Sequence, residues 1–140
     1  MEDIVIDLTP TAQQKQSRER AEAALKEFFD SRHPGPFHGT AWMGDGYIEA
    51  CVFNNRIHLS AVFVVPDKRG TRLGSDYLRQ FLALADKHLV EVECSVKPFG
   101  VQDPRTKKGV RELQQWYKRY GFQPVKNRIN YLLRPAAEAK

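Results

Sequence analysis

The chain has 140 residues, close to the commonest domain size and long enough to bury one apolar core, so a single domain over 1–140 is expected. Hydrophobic residues at 41% and charged residues at 28% exclude a disordered or fibrous chain. The longest apolar run, residues 61–66, is too short to cross a bilayer, and Met1-Glu2-Asp3 lacks the basic start of a secretory signal, so a cytoplasmic chain without membrane partners is expected.

Residues 4–8 alternate apolar and acidic side chains, which predicts a strand, and Thr9-Pro10 suits the cap and first turn of a helix. Over residues 11–30 Ala21, Ala24, Leu25, Phe28 and Phe29 recur at helical spacing, with Arg18, Arg20, Glu22 and Lys26 on the other face. His33-Pro34-Gly35-Pro36 breaks this pattern. Three β-rich runs follow, 37–43, 47–53 and 56–65, separated by Gly44-Asp45-Gly46 and Asn54-Asn55, which predicts an antiparallel meander. Leu73, Tyr77, Leu78, Phe81, Leu82, Ala85 and Leu89 mark a second amphipathic helix, and residues 89–96 read as a further strand. A strand, crossover helix and strand imply a parallel pair within a mixed sheet. A basic loop then runs to about Lys108. Leu113, Trp116, Tyr117 and Tyr120 give a short helix stopped at Gly121, residues 122–134 fit two short strands about a turn near Asn127, and 135–140 read as a flexible tail. The fold class is therefore mixed α/β.

Charge is spread unevenly within a net +5. Residues 1–30 hold 4 basic and 7 acidic groups, whereas residues 97–128 hold 9 basic and 2 acidic ones. The second segment favours a polyanion, whether a nucleotide cofactor, a nucleic acid or an acidic protein, or is a solvated basic face. Cys51 and Cys94 sit in apolar runs and read as small buried thiols. His33, His38, His58 and His88 show no ligand spacing, so no metal is expected.

The stretch from Val64-Val65 through Pro66-Asp67-Lys68-Arg69-Gly70-Thr71-Arg72-Leu73-Gly74-Ser75 joins a long strand to a helix through a basic, glycine-containing turn. Exposed N–H groups and the dipole at such a helix start favour an anion, although turns of this composition also occur without a ligand. The stretch resembles the acyl-CoA pyrophosphate loop of the GNAT superfamily of N-acetyltransferases, whose pattern is Arg or Gln, two residues, Gly, one residue, Gly or Ala. Arg69 and Gly74 match its ends, while Arg72 stands where the family has its inner glycine. Trp116-Tyr117-Lys118-Arg119-Tyr120-Gly121-Phe122 is similar to a second family signature, an aromatic, Tyr, three residues and Gly-Phe.

The resemblance implies a GNAT-type fold over residues 1–134 and direct acyl transfer from acetyl-CoA to a primary amine of a small molecule or protein. The co-substrate is then held in a splay between the strands at 56–65 and 89–96. It implies that main-chain groups near Phe63, Val64 and Val65 pair with the pantetheine arm, and that N–H groups of Arg69, Gly70, Thr71, Arg72, Leu73, Gly74 and Ser75 hold the pyrophosphate. Tyr117 matches the tyrosine that protonates the departing thiolate in many members; the alternative is a ring packed on Trp116 and Phe122. The family's strand glutamate is missing from residues 56–65. His58 stands near its position and is of the residue type that exchanges protons near neutral pH, though a polar strand-end histidine without a task fits equally. Glu93 lies on the next strand with Glu91, toward the same face, and is expected to steady the base through water, to bind a cationic substrate, or to pair with Arg72 or Arg79. A second reading is a non-catalytic module that uses the basic segment to hold nucleic acid or an acidic protein, and a third keeps the enzyme with a nucleic-acid base or a tRNA-linked amine as acceptor. A homodimer is compatible with each reading.

Overall fold

A computed structural model of the chain describes residues 11–96 and 106–137, with backbone alone over 106–109. The strand expected at 4–8 lies outside these residues.

The first helix, α1 (Ala12–Asp30), starts two residues later than Thr9-Pro10 suggests, because Thr11 closes a capping box with Gln14. The Gln14 N–H donates to Thr11 Oγ1 at 3.1 Å and the Thr11 N–H to Gln14 Oε1 at 2.8 Å, satisfying two helix-start donors reciprocally. The helix buries Ala21, Ala24, Leu25 and Phe28.

The six-stranded sheet has the order β1-β2-β3-β4-β6-β5. Strands β1 (Thr40–Trp42), β2 (Gly46–Phe53) and β3 (Arg56–Val64) form the expected meander. Asn54 and Asn55 both have positive φ, 52° and 62°, the backbone that a two-residue hairpin needs. Strand β1 is shorter than the run 37–43 because Gly39 (φ 79°) and the Thr40 hydroxyl, which donates to the Phe37 carbonyl, fold residues 37–40 into a turn.

Helix α2 (Leu73–Lys87) crosses over to β4 (Val92–Ser95), which pairs parallel with β3; the other ladders are antiparallel. The fourth strand starts at Val92 rather than at Leu89. Leu89 takes φ 57° and the Val90 N–H donates to the Ala85 carbonyl at 2.9 Å, a left-handed cap that ends α2. Helix α3 (Thr106–Lys118) begins before Lys108, in a lysine-rich stretch without apolar periodicity. Gly121 (φ 95°) and Asn127 (φ 65°) then turn the chain into β5 (Gln123–Pro124) and β6 (Tyr131–Arg134). Residues 135–137 have no regular structure.

The core lies where α1 and α2 cover one face of the sheet, with Phe28 meeting Phe81 edge-on at 5.0 Å above Ile48, Ile57, Leu59 and Val92. Arg134 locks β6 to this layer. Its guanidinium holds both Asp86 oxygens, at 2.7 and 3.0 Å, and donates through Nε to the Tyr120 carbonyl at 2.8 Å.

At Gly46 the sheet admits no side chain, since a Cβ there would lie 1.8 Å from the Phe63 carbonyl oxygen. Gly46→Ala must push β2 from β3 and should cost at least about 2 kcal/mol, read as a lowered urea midpoint. An unchanged midpoint would mean that the hairpin closes less tightly than this.

Candidate functional site

The β2–β3 register pairs Glu49 with Ala61 and Ala50 with Leu59, skipping Ser60, so Ser60 is the extra residue of a β-bulge. A bulge bends its strand and increases local twist. The parallel β3–β4 ladder runs Ile57↔Val92, His58↔Glu93, Leu59↔Cys94 and ends there, one residue before the bulge. Beyond it the strands part. A small cavity of about 40 Å³ opens between them, lined by Ser60, Val62, Ser95, Val96, Trp116 and Tyr117 among others.

Tyr117 is buried beside this opening, with its ring edge-on to Trp116 at 4.9 Å and to Phe122 at 5.2 Å. Burial pushes its phenol well above the ordinary range, with a smaller contribution from the Cys94 sulfur, so it stays a proton donor at neutral pH. The expected packing and the expected donor role are thus compatible at one residue. Cys94 itself is pushed up to about 12, by burial first and the Glu93 charge second, and is inert as a nucleophile.

At the far end of β3 the chain passes through a short 3-10 turn, Pro66–Lys68, and Gly70 (φ 83°) into α2. Helix α2 starts at Arg72 with no side-chain cap, leaving its first N–H groups for other acceptors. Arg72 takes φ 67°. It therefore adopts the left-handed backbone that glycine reaches without strain, and it sets a cation on the turn. A cavity of about 250 Å³ sits on this turn, lined by Lys68, Arg69, Gly70, Arg72, Leu73, Gly74 and Ser75, with Val64 and Trp116 closing it. Arg69 is held in place: its Nε donates to the Val64 carbonyl at 2.9 Å and its guanidinium lies 5.3 Å from the Phe63 ring centre. Thr71 Oγ1 donates to the Lys68 carbonyl, tightening the turn. The one carboxylate of the first helical turn, Asp76, is engaged by Arg79.

Trp116 joins the two cavities. It lines both, and its Nε1–H donates to Ser75 Oγ at 2.9 Å, fixing α3 to the start of α2. The main chain expected to face a pantetheine arm is partly committed: the Val64 carbonyl to Arg69, and the Val65 N–H to the Asp45 carbonyl at 2.8 Å.

His58 and Glu93 are register partners on β3 and β4, with His58 Nδ1 3.7 Å from Glu93 Oε2, just outside hydrogen-bond reach. Glu93 is 1% exposed and accepts from the Tyr131 hydroxyl. His58 Nδ1 and Glu93 Oε1 are both buried without a hydrogen-bond partner among the described residues. Glu93 does not pair with Arg79, which holds Asp76, and Glu91, just before β4, meets Arg56 at 3.6 Å instead. Tyr131, Ser60 and the bridging role of Trp116 escape sequence reasoning. Only Ser60, a small polar residue in an apolar strand, carries a signal. Among the described residues no group of three or more His, Cys, Asp or Glu side chains is arranged for a metal, and no helix is long and apolar enough to cross a membrane. Of the basic segment 97–128, residues 97–105 lie outside the described residues.

No family model matches the chain, and no curated protein matches it. Among solved structures, a chain of the NatC complex bound to Gag peptide and CoA is similar to it over 94% of this chain and 96% of that one, at 14% identity and a TM-score of 0.49. A likeness of that size carries no argument about family or activity.

The left-handed Arg72 makes a clear expectation. Arg72→Gly should leave stability unchanged or raise it by about 1 kcal/mol at most, whereas the β-branched Arg72→Val should lower it, both read from the thermal midpoint. Equal midpoints for the two variants would show that position 72 is not left-handed.

Proposed function

We propose that the chain is an acyl-CoA-dependent N-acyltransferase that moves the acetyl group of acetyl-CoA to a primary amine. The observation that carries this reading is the joining, through Trp116, of a cavity walled by three cations at a helix start to an opening between two parted parallel strands. Such a pair suits a ligand with an anionic pyrophosphate at one end and a narrow, extended arm at the other. The resemblance of residues 69–74 and 116–122 to the GNAT superfamily points the same way.

In this reading Lys68, Arg69, Arg72 and the N–H groups from Gly70 to Ser75 hold the phosphates, with Gly74 giving the backbone close approach. The thioester then lies in the splay. The amine nitrogen bonds to the acyl carbon as the carbon–sulfur bond breaks. The ammonium proton passes to His58, whose imidazolium Glu93 steadies, and Tyr117 gives its proton to the leaving thiolate. Tyr131 acts one step back, orienting the Glu93 carboxylate by its hydroxyl.

Tyr117→Phe should lower kcat by ~10²-fold or more with acetyl-CoA affinity unchanged. Because burial raises the phenol above its ordinary value of about 10, kcat should show no alkaline fall from loss of this acid below about pH 10. His58→Ala should remove the acidic limb of the rate profile and be partly rescued as pH rises, since more of the amine is then already neutral. Thiol release with a panel of amines provides the readout. Full activity in both variants would remove the proposed proton transfers.

A further inference from the structure

A second and larger hollow meets the splay at the bulge. It encloses about 490 Å³, a volume suited to a small ligand, and Ser60 lines both it and the splay. Leu25 and Phe29 of α1 give it an apolar wall, and His38, Glu49 and Cys51 lie on its other sides. Glu49 is the one carboxylate among the lining residues, and neither lysine nor arginine lines the hollow. Its lining thus carries a carboxylate and no lysine or arginine to offset it. Cys51, expected to be buried, is exposed; partial desolvation first and then the charges of Glu49 and Glu93 push its thiol up, as burial and then Glu49 do the Tyr47 phenol. The cavity on the turn carries the opposite sign, with Lys68, Arg69 and Arg72 around it. The two hollows thus adjoin the splay at different residues, the acidic one at Ser60, two positions after His58, and the basic one at Trp116.

We propose that the larger hollow takes a small aliphatic primary amine in its ammonium form, Glu49 drawing the cation while Leu25 and Phe29 pack its hydrocarbon stem. That this amine is the acyl acceptor rests on the acyl-transfer reading; that it binds here does not. An acceptor carrying a carboxylate is rejected, because its charge meets Glu49 and finds no basic partner in the wall.

The full chain, with backbone amides followed by NMR, tests this against pentylamine and against aminocaproate, the same stem bearing a carboxylate. Pentylamine should saturate a site that shifts Cys51 and Ser60, and aminocaproate should bind at least about tenfold more weakly. Glu49→Gln should weaken pentylamine by about tenfold and leave acetyl-CoA affinity unchanged. Equal affinity for the two amines, or full pentylamine affinity in a folded Glu49→Gln, overturns the assignment. Pentylamine binding by a chain with no affinity for any acyl-CoA leaves the hollow's assignment standing and removes the acyl-transfer reading instead.

Discussion

One extra residue on β3 sets the geometry on which the rest of the molecule depends. Ser60 has no partner in the β2 register, and the parallel ladder to β4 stops at the residue before it. Up to Leu59 the strand is an ordinary member of the sheet, with Ile57 and Leu59 in the core; beyond it the strand leaves β4 and exposes an edge. A sheet paired to its end would have no opening at its centre. The bulge therefore turns a structural element into a site, and both inner cavities touch Ser60.

Packing on either side holds that opening in place. Gly46 lets β2 come against the Phe63 carbonyl, Trp116 ties α3 to Ser75, and Arg134 fastens β6 to Asp86 and the end of α3. The polar groups are divided along the sheet. Cations gather on the turn after β3, while the buried Glu93 and the lining Glu49 give the central strands a negative character. A substrate with an anionic tail and an acceptor with a positive charge would each find its own end.

Much of this was legible in residues whose meaning is local. The spacing of Ala21, Ala24, Leu25 and Phe28 fixes α1, Asn54-Asn55 fixes the hairpin, and the basic turn before Leu73 marks a helix start with unspent donors. What stayed hidden depends on partners distant in the chain. Leu89 continues the helical spacing yet caps α2, because its backbone turns left-handed there. Thr11, not Thr9, caps α1 because Gln14 completes the box. Tyr131 reaches Glu93 only through the β4–β6 pairing, and the bulge at Ser60 leaves no local trace beyond one small polar residue in an apolar strand. Arg72 read as a departure from the family pattern, and its φ of 67° sets that arginine in the left-handed region.

Calorimetric titration of the chain with acetyl-CoA, beside Gly74→Glu, tests the central claim most directly. A Cβ at Gly74 meets only Val64 Cγ2 at 3.6 Å and Trp116 Cζ2 at 3.9 Å, ordinary contacts, so the variant should fold while setting a carboxylate against the phosphates. Saturable heat is expected for the native chain and none for the folded variant. No heat from the native chain with any acyl-CoA, or undiminished binding by Gly74→Glu, would contradict it.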